Sequence, residues 1–487
     1  MLTPRADLAS PGVEDTDAHA RAGAPDGLPI PRRYWSVAAI WLAMAMSVLD
    51  GAIANVALPT IAGELHASAA SSIWIVNAYQ LAITVTLLPL AALGDRLGYR
   101  RVYMVGLAVF TLGSLGCALS HSLGTLTAAR VLQGLGAGGI MSINSALVRF
   151  TYPKRLLGRG IGLNALVISI AAAIGPTVAA AILAKGSWEW LFAINVPIGV
   201  LAIAIAFRAL PVTIGSPRRF DWISAVLNAL AFGFLITGAE SVVRDGLASG
   251  LSKLAIGAAA AALLSWRELR REAPLVPFDL LRIPIFGLSI ATSIVSFAAQ
   301  MMAYVGLPFY FQQMMGRSAV ETGLLMTPWP LAVGVSAPLA GRLADRHRAG
   351  TLGGLGLGVF AIGLFALSIM PAHASNLDVA WRMAVCGLGF GFFQSPNNRA
   401  MVTAAPMHRS GAAGGALATA RLLGQTAGAM ATGVFFHLAG THATTTALAT
   451  AAGLATLAAA VSLSRLVLAP RPRPDRPDEI GNLPAGP

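Results

Sequence analysis

Long apolar stretches recur along the whole chain, and charged residues are confined largely to the gaps between them. A bilayer core requires about 20 mainly apolar residues per spanning helix, and a chain that crosses it many times has this pattern. Hydrophobic residues make up 56% of the 487 residues and charged residues 11%, against about 25% charged in an ordinary soluble domain. The pattern excludes a soluble enzyme and predicts an all-α membrane protein.

Fourteen apolar stretches are predicted to be transmembrane helices. They begin near residues 36, 72, 101, 124, 160, 190, 222, 250, 286, 321, 350, 379, 413 and 445. An even number of spans places both termini on the same side of the membrane. Residues 1–33 lack the apolar core of a cleavable signal peptide, and they and residues 469–487 are predicted to be disordered tails.

Basic residues are distributed asymmetrically among the loops. Of the 34 Lys and Arg residues, 27 fall in the tails and the even-numbered loops, and four fall near the odd-numbered loops. Cytoplasmic loops are enriched in Lys and Arg, so both tails are predicted to be cytoplasmic. This distribution explains the net charge of +13, and no nucleic-acid partner is expected. The three basic residues within spans are Arg130, Arg382 and Arg421.

An internal repeat relates the two ends of the chain. Residues 94–101, after the second span, resemble residues 341–346, after the tenth. An arginine and two glycines follow each copy: Arg130, Gly134 and Gly136, then Arg382, Gly387 and Gly389. The spacing predicts a six-helix bundle at 34–210, two linker helices at 211–270 and a second six-helix bundle at 271–468. Repeats of this kind place a substrate site between the halves, near the bilayer midplane.

Asp50 is the carboxylate predicted to lie deep within a span. A charge at the centre of a bilayer costs about 2.5 to 3.5 kcal/mol on insertion scales, so it normally faces a cavity or a partner. Burial favours the neutral form of a carboxyl group and a nearby cation favours the ionised form, so a carboxylate between these influences can carry a proton. The alternative is that Asp50 only hydrogen-bonds to a neighbouring helix.

Arg130, at a similar depth in the fourth span, is the predicted partner of Asp50. Gln133 and Gly134 share its helix face, and Gly134 with Gly138 forms a small-xxx-small contact that brings helices close together. An arginine that extends its side chain to the outer headgroups is the alternative.

Two further spans carry mixed polar and apolar stripes at helical spacing. Together with Gln133 they predict a substrate cavity, whose residues are Asn77, Gln80 and Thr84 in the second span, and Phe297, Gln300, Met301 and Tyr304 in the ninth. A surface of aromatic, Met and amide groups suits varied apolar ligands, because Met repacks easily. Ordinary packing between helices explains these stripes equally well.

The sequence offers no cluster for catalysis or metal binding. None of the eight histidines is central in a span, and Cys117 and Cys386 lie far apart inside apolar spans. The sequence has no Gly-x4-Gly-Lys-[Ser/Thr] loop, so ATP is not the expected energy source. No metal and no cofactor are predicted, and a proton gradient is expected to supply the energy.

Four short motifs occur at separate places. They are Leu-Asp-x3-Ala-Asn-Val-Ala-Leu-Pro at 49–59, Trp-Glu-Trp-Leu-Phe-Ala-Ile-Asn-Val-Pro-Ile-Gly at 188–199, Phe-Asp-Trp at 220–222 and Ser-Pro-Asn-Asn at 395–398. Jointly they resemble the fourteen-helix drug:proton antiporter branch of the major facilitator superfamily, the EmrB/QacA type. The resemblance covers residues 36–468.

The resemblance implies roles for two further groups of residues. One group forms a cytoplasmic gating loop: Asp95, Arg96, Gly98 and Arg101, with Asp345 and Arg346 in the second half. The other resembles the antiporter motif that bends the fifth helix against the opposite half: Gly162, Gly175 and Pro176.

The predicted function is a proton-coupled antiporter in the bacterial inner membrane that exports small hydrophobic or amphipathic compounds. Its expected partners are the lipid bilayer, protons, the small-molecule substrate and, as in some members of the family, a membrane-fusion adaptor protein. An exporter of one amino acid, siderophore or organic acid on the same fold remains open, because three arginines within spans suit anionic cargo. A channel or a membrane-embedded enzyme would require passive conductance or a reactive cluster.

Overall fold

A computed structural model describes residues 27–213, 215, 220–270, 278–344, 346–405 and 410–468. Within these residues the chain forms fourteen long helices, and each predicted start lies within four residues of a helix start. The helices are α1 Arg32–Glu64, α2 Ala69–Leu97, α3 Tyr99–Ala118, α4 Leu123–Thr151, α5 Leu157–Leu183, α6 Trp190–Ala209, α7 Trp222–Arg244, α8 Leu247–Glu268, α9 Pro284–Met314, α10 Ala319–Leu343, α11 Ala349–Ser368, α12 Asn376–Ala404, α13 Ser410–Leu438 and α14 Ala443–Leu468.

Twelve of these helices are, over their described residues, long and apolar enough to cross a membrane. A helix satisfies its own backbone hydrogen bonds, which is what a hydrocarbon environment requires. The other two, α12 and α13, do not meet that criterion. Both pack against several other helices, and a helix shielded from lipid does not need a uniformly apolar surface. The all-α fold is confirmed, and fourteen spans remain a prediction.

The helices form two six-helix halves, α1–α6 and α9–α14, with the same packing pattern. In each half the first helix contacts the fifth and sixth, the second contacts the fourth, and the third contacts the fourth and sixth. Serine N-caps begin the second and fourth helix of both halves, at Ser68, Ser122, Ser318 and Ser375. The predicted repeat is therefore present in the packing as well as in the sequence.

Close contacts between helices occur at matching glycines. Gly134 of α4 lies against the Tyr79 carbonyl of α2, and Gly387 of α12 lies against the Trp329 carbonyl of α10. Corresponding residues of the two halves are therefore separated by a fixed number of positions in each helix pair. The separation is 250 from Tyr79 in α2 to Trp329 in α10, and 253 from Gly134 in α4 to Gly387 in α12. These glycines allow the backbones to approach more closely than a Cβ atom would permit.

The offset of 253 positions between α4 and α12 identifies the counterpart of Arg130. Position 130 corresponds to Met383, which is fully buried, and not to Arg382. One residue turns a side chain by about 100° around a helix, so Arg382 points elsewhere and pairs with Asp378 at 3.1 Å. The arginines that follow the two copies of the repeat therefore do not occupy equivalent positions of α4 and α12.

The two halves are joined by hydrogen bonds at one end of the molecule. Gln312 Nε2 of α9 donates to Val56 O of α1 at 3.2 Å, and Thr60 Oγ1 donates to Gln312 Oε1 at 3.2 Å. The hydroxyls of Thr177 in α5 and Thr327 in α10 lie 2.9 Å apart. These contacts lie at the end of the molecule where α1 finishes and α14 starts. The two halves touch at this end, which is called the closed end below.

Helices α7 and α8 pair as a hairpin beside the junction of the halves, and α7 contacts both α2 and α13. Asp221 accepts from Ser224 N at 3.2 Å at the start of α7, and it pairs with Arg267 of α8 at 3.1 Å. Asn228 Nδ2 of α7 donates to Val85 O of α2 at 2.9 Å. The Asn228 hydrogen bond therefore attaches the hairpin to the amino-terminal half.

Candidate functional site

Asp50 lies in the middle of α1 and is 2% exposed. Its Oδ2 accepts a hydrogen bond from Arg130 Nη1, which also forms an ion pair with it. Its Oδ1 accepts from Gln133 Nε2 at 2.8 Å and from Asn195 Nδ2 at 2.9 Å. These four residues, here called the Asp50 centre, come from α1, α4 and α6. Three donors offset the cost of removing the carboxylate from water.

Arg130 is completely buried. Its Nε donates to Ile75 O at 2.8 Å, and its Nη1 also donates to Gln133 Oε1 at 2.6 Å. The guanidinium carbon lies 4.1 Å from the centroid of the Tyr79 ring, which is a favourable cation–π distance. The predicted pairing of Arg130 with Asp50 is present in the structure, and an arginine that reaches the headgroups is excluded.

Gln133 connects the Asp50 centre to α3. Its Nε2 donates to Ser114 Oγ at 2.8 Å in addition to Asp50. Gln133 was predicted to line the substrate cavity, and the structure instead places its amide inside the amino-terminal half. The counterpart position of Arg130 in the carboxyl-terminal half is the apolar Met383. The buried ion pair therefore makes the two halves chemically different.

The other predicted cavity residues lie in α2 and α9, which touch at Gln80 and Met301, and Phe297 of α9 packs against α12. Gln80 Nε2 lies 3.8 Å from Met301 Sδ, and the Phe297 and Phe390 rings meet edge to face with centroids 5.2 Å apart. Gln80, Thr84, Phe297 and Met301 are buried, whereas Gln300 and Tyr304 are partly exposed. In this conformation these residues mainly pack against other side chains.

Several buried polar atoms in this region have no hydrogen-bond partner among the described residues. They include Oε1 of Gln80 and Nε of Arg421. The Arg421 guanidinium carbon lies 5.8 Å from the centroid of the Phe297 ring. Buried polar atoms normally have hydrogen-bond partners. A ligand that donates to Gln80 Oε1 and accepts from Arg421 Nε would therefore satisfy both atoms.

Asn77 lines a cavity of about 830 Å³ between the starts of α2 and α4 and the end of α13. Trp74, Met430 and His437 contribute to the same wall. Asn77 is 2% exposed, and its Oδ1 has no partner among the described residues. Of the predicted cavity residues, Asn77 is the one that the structure places at this cavity.

The predicted gating loop packs within the amino-terminal half. Gly98 joins α2 to α3 with φ +91°, and a Cβ atom there would lie 2.5 Å from Thr213 O. Tyr99 N donates to Thr213 Oγ1 at 2.8 Å, and Tyr99 OH donates to Asp95. The loop is therefore held against the segment that follows α6.

The remaining gating-loop residues lie at the surface. Arg96, Arg101 and Arg346 are exposed. Asp345 lies outside the described residues.

The residues of the predicted antiporter motif lie in α5. A Cβ atom on Gly175 would lie 2.5 Å from Ala52 Cβ of α1, and the Pro176 carbonyl contacts Gly323 of α10. Gly162 lies nearer the start of the same helix. The Gly175–Pro176 segment therefore packs against both α1 and the opposite half.

Sequence reasoning missed two functional groups. Asn195 lies in the motif at 188–199, and an amide within an apolar stretch was the signal that could have identified it. Arg465 was counted among the loop and tail cations, but it is 4% exposed and lies within α14.

Two homologous helical halves, with a buried ion pair in one of them, define a polytopic membrane transporter. Residues 40–429 match the Major Facilitator Superfamily, and the chain belongs to this superfamily. It is 53% identical over 444 residues to the "Uncharacterized transporter YebQ" of Escherichia coli (strain K12), covering 91% of this chain and 97% of that protein.

Other relatives differ in their cargo. The chain is 31% identical to the riboflavin transporter RibZ of Clostridioides difficile (strain 630), covering 79% of this chain and 84% of RibZ. It is also 31% identical to the methylenomycin A resistance protein of Streptomyces coelicolor, covering 94% and 96%. A bacterial homologue of the human lysosomal transporter Spinster, solved in an inward-facing conformation, shares the fold with a TM-score of 0.66 at 15% identity, covering 91% and 98%.

Proposed function

We propose that the protein is a proton-coupled antiporter that exports small hydrophobic or amphipathic compounds by alternating access. The observation that supports it best is the Asp50 centre, in which a buried carboxylate is held by a buried arginine and two amides. The methylenomycin A resistance relative supports export of an antibiotic-like compound. Protons and the small-molecule substrate would be the partners, and a proton gradient would supply the energy without a cofactor.

Protonation of Asp50 provides the coupling step. A proton on the carboxyl group removes the charge that Arg130 neutralises, and it weakens the acceptor for Gln133 and Asn195. The hydrogen bonds that join α1 to α4 and α6 at Asp50 are then weaker. In the scheme that we favour, cargo enters while Asp50 is ionised and paired, and a proton arriving from outside helps to expel the cargo.

The distribution of basic residues supports an orientation. The tails and the even-numbered loops would face the cytoplasm, so the closed end would face the outside. In the proposed arrangement, fourteen spans cross a bacterial inner membrane and both termini lie in the cytoplasm. A membrane-fusion adaptor protein would be needed only for transport beyond that membrane.

Proteoliposomes with an imposed proton gradient test the proposal. We expect wild type and D245N, which removes a carboxylate at the α7–α8 turn, to concentrate a fluorescent lipophilic substrate against its gradient. D50N should lose gradient-driven transport while it still binds the substrate. Concentrative transport by D50N would refute the coupling role of Asp50.

A second candidate function is export of one anionic metabolite on the same fold. The unpaired Arg421 Nε near Phe297 favours it, as does the riboflavin transporter among the relatives. Drug-susceptibility profiles of a host that expresses wild type or D50N, set beside metabolite analysis of the medium, would distinguish the two candidates. Protection against several unrelated compounds supports multidrug export, and accumulation of one acid in the medium supports the alternative.

A further inference from the structure

A second cavity, of about 460 Å³, opens in the carboxyl-terminal half at the end where α14 finishes. The starts of α9 and α11 and the ends of α10, α12 and α14 form its wall. Three arginines line it, Arg348, Arg399 and Arg465, and its described lining contains no carboxylate. The described lining of the cavity is basic, and the cavity is built from the opposite half to the Asp50 centre.

Arg465 is the buried member of this group. Its Nη1 donates to Asn397 Oδ1 at 2.8 Å, and its Nη2 donates to Leu288 O at 3.3 Å and to Thr292 Oγ1. Its Nε has no partner among the described residues, although the residue is 4% exposed. Every described acceptor of this guanidinium is neutral. A buried cation that lacks a counter-ion is costly, and an anion in the adjacent cavity would supply one.

The start of α11 is a second feature of the cavity that favours an anion. Ala349 and Gly350, the first residues of this 20-residue helix, line the cavity. Its N-cap residue, Arg348, makes no side-chain capping hydrogen bond, and its first turn contains no acidic residue. Backbone N–H groups at a helix start carry partial positive charge and bind phosphate readily.

Contacts between α11 and α14 hold the helix start beside Arg465. Ser462 Oγ donates to Gly350 O at 3.2 Å. A Cβ atom on Gly350 would lie 2.9 Å from Ser462 O, so this close approach requires glycine. The helix start and the buried guanidinium therefore form one wall of the cavity. The exposed Arg348 and Arg399 lie at the opening of the cavity.

From this arrangement we propose that the cavity binds a phosphate-bearing anion. A guanidinium donates two parallel hydrogen bonds to a phosphate, which makes arginine the preferred residue for this ligand. The phosphate could belong to an anionic lipid headgroup of the adjacent leaflet or to a free phosphate in solution. The site does not depend on the antiport proposed above, because it shares no residue with the Asp50 centre.

Binding to purified full-length protein in a neutral detergent tests the proposal. The probes are dioctanoyl phosphatidylglycerol, dioctanoyl phosphatidylcholine and inorganic phosphate, and the readouts are native mass spectrometry and the thermal unfolding midpoint. The test variant is R348Q/R399Q. The control is R155Q/R270Q, which removes two exposed arginines that do not line the cavity.

We expect wild type and the control to bind an anionic probe, and R348Q/R399Q to bind it at least roughly tenfold more weakly, because charge-assisted hydrogen bonds are lost. Saturable binding of phosphatidylglycerol without phosphate binding identifies a lipid headgroup, and saturable binding of inorganic phosphate identifies a soluble source. Either result supports the site. Equal binding of both lipids, equal binding to both double variants, or no binding to wild type would overturn it.

Discussion

Arg130 Nη1 donates to Asp50 Oδ2 across 80 positions of sequence, and neither residue is more than 2% exposed. The pair belongs to a network that reaches α1, α4 and α6, α3 through Gln133, and α2 through the hydrogen bond from Arg130 to Ile75 O. Five of the six helices in the amino-terminal half are therefore linked to the charge of one carboxylate. This relationship suits a group that couples protonation to helix packing.

Removal of Arg130 is expected to destabilise the protein strongly. R130Q leaves Asp50 as a buried charge without its cation, which costs about 3 to 5 kcal/mol. In D50N/R130Q both charges are absent, so this variant should be more stable than R130Q alone. Unfolding of the four proteins of this double-mutant cycle in detergent measures the coupling. Additive effects of the two substitutions would show that the ion pair does not exist in the membrane protein.

Loss of the Asn195 amide should weaken the same centre from α6. N195A removes a hydrogen bond to a charged group, which is worth about 1.5 to 3 kcal/mol. The matched control is N55A, because Asn55 Nδ2 donates to Gly51 O within its own helix at 3.0 Å. Unfolding midpoints should fall further for N195A than for N55A, and the reverse order would contradict the assignment.

A larger residue at Gly323 is expected to open the closed end of the molecule. G323L places a side chain against the Pro176 carbonyl and within contact of Ala180 of α5, so α5 and α10 must separate. Gly334 of the same helix has no atom within 4 Å of a Cβ position, and G334L is the control. The measurement is labelling of T60C by a membrane-impermeant maleimide added from outside the cell. We expect faster labelling with G323L, and unchanged labelling would contradict the role of this contact.

Gly98 should tolerate substitution less well than Gly246. Both have positive φ, +91° and +98°, which L-residues adopt at a cost of about 1 to 3 kcal/mol. A Cβ atom on Gly98 also meets Thr213 O, whereas nothing lies within 4 Å of one on Gly246. G98A should therefore unfold at a lower temperature than G246A. Equal midpoints would show that the contact with the segment after α6 contributes little.

Positions of helices followed well from the sequence because the bilayer imposes a length and a composition on each span. The repeat was also visible, since residues 94–101 resemble residues 341–346 and a pair of glycines follows each copy. Asp50 and Arg130 stood out individually because ionised groups are rare inside apolar spans. The match between their depths was sufficient to predict that they pair.

Only the tertiary structure decided which side chains share a space. The one-position difference between Arg382 and Met383, the inward orientation of Gln133, and the burial of Arg465 each depend on how one helix is rotated against its neighbours. Rotation is determined by the close packing of several helices together. A sequence records the depth and chemistry of a residue in its own helix, but the direction in which its side chain points is decided by helices far away in the chain.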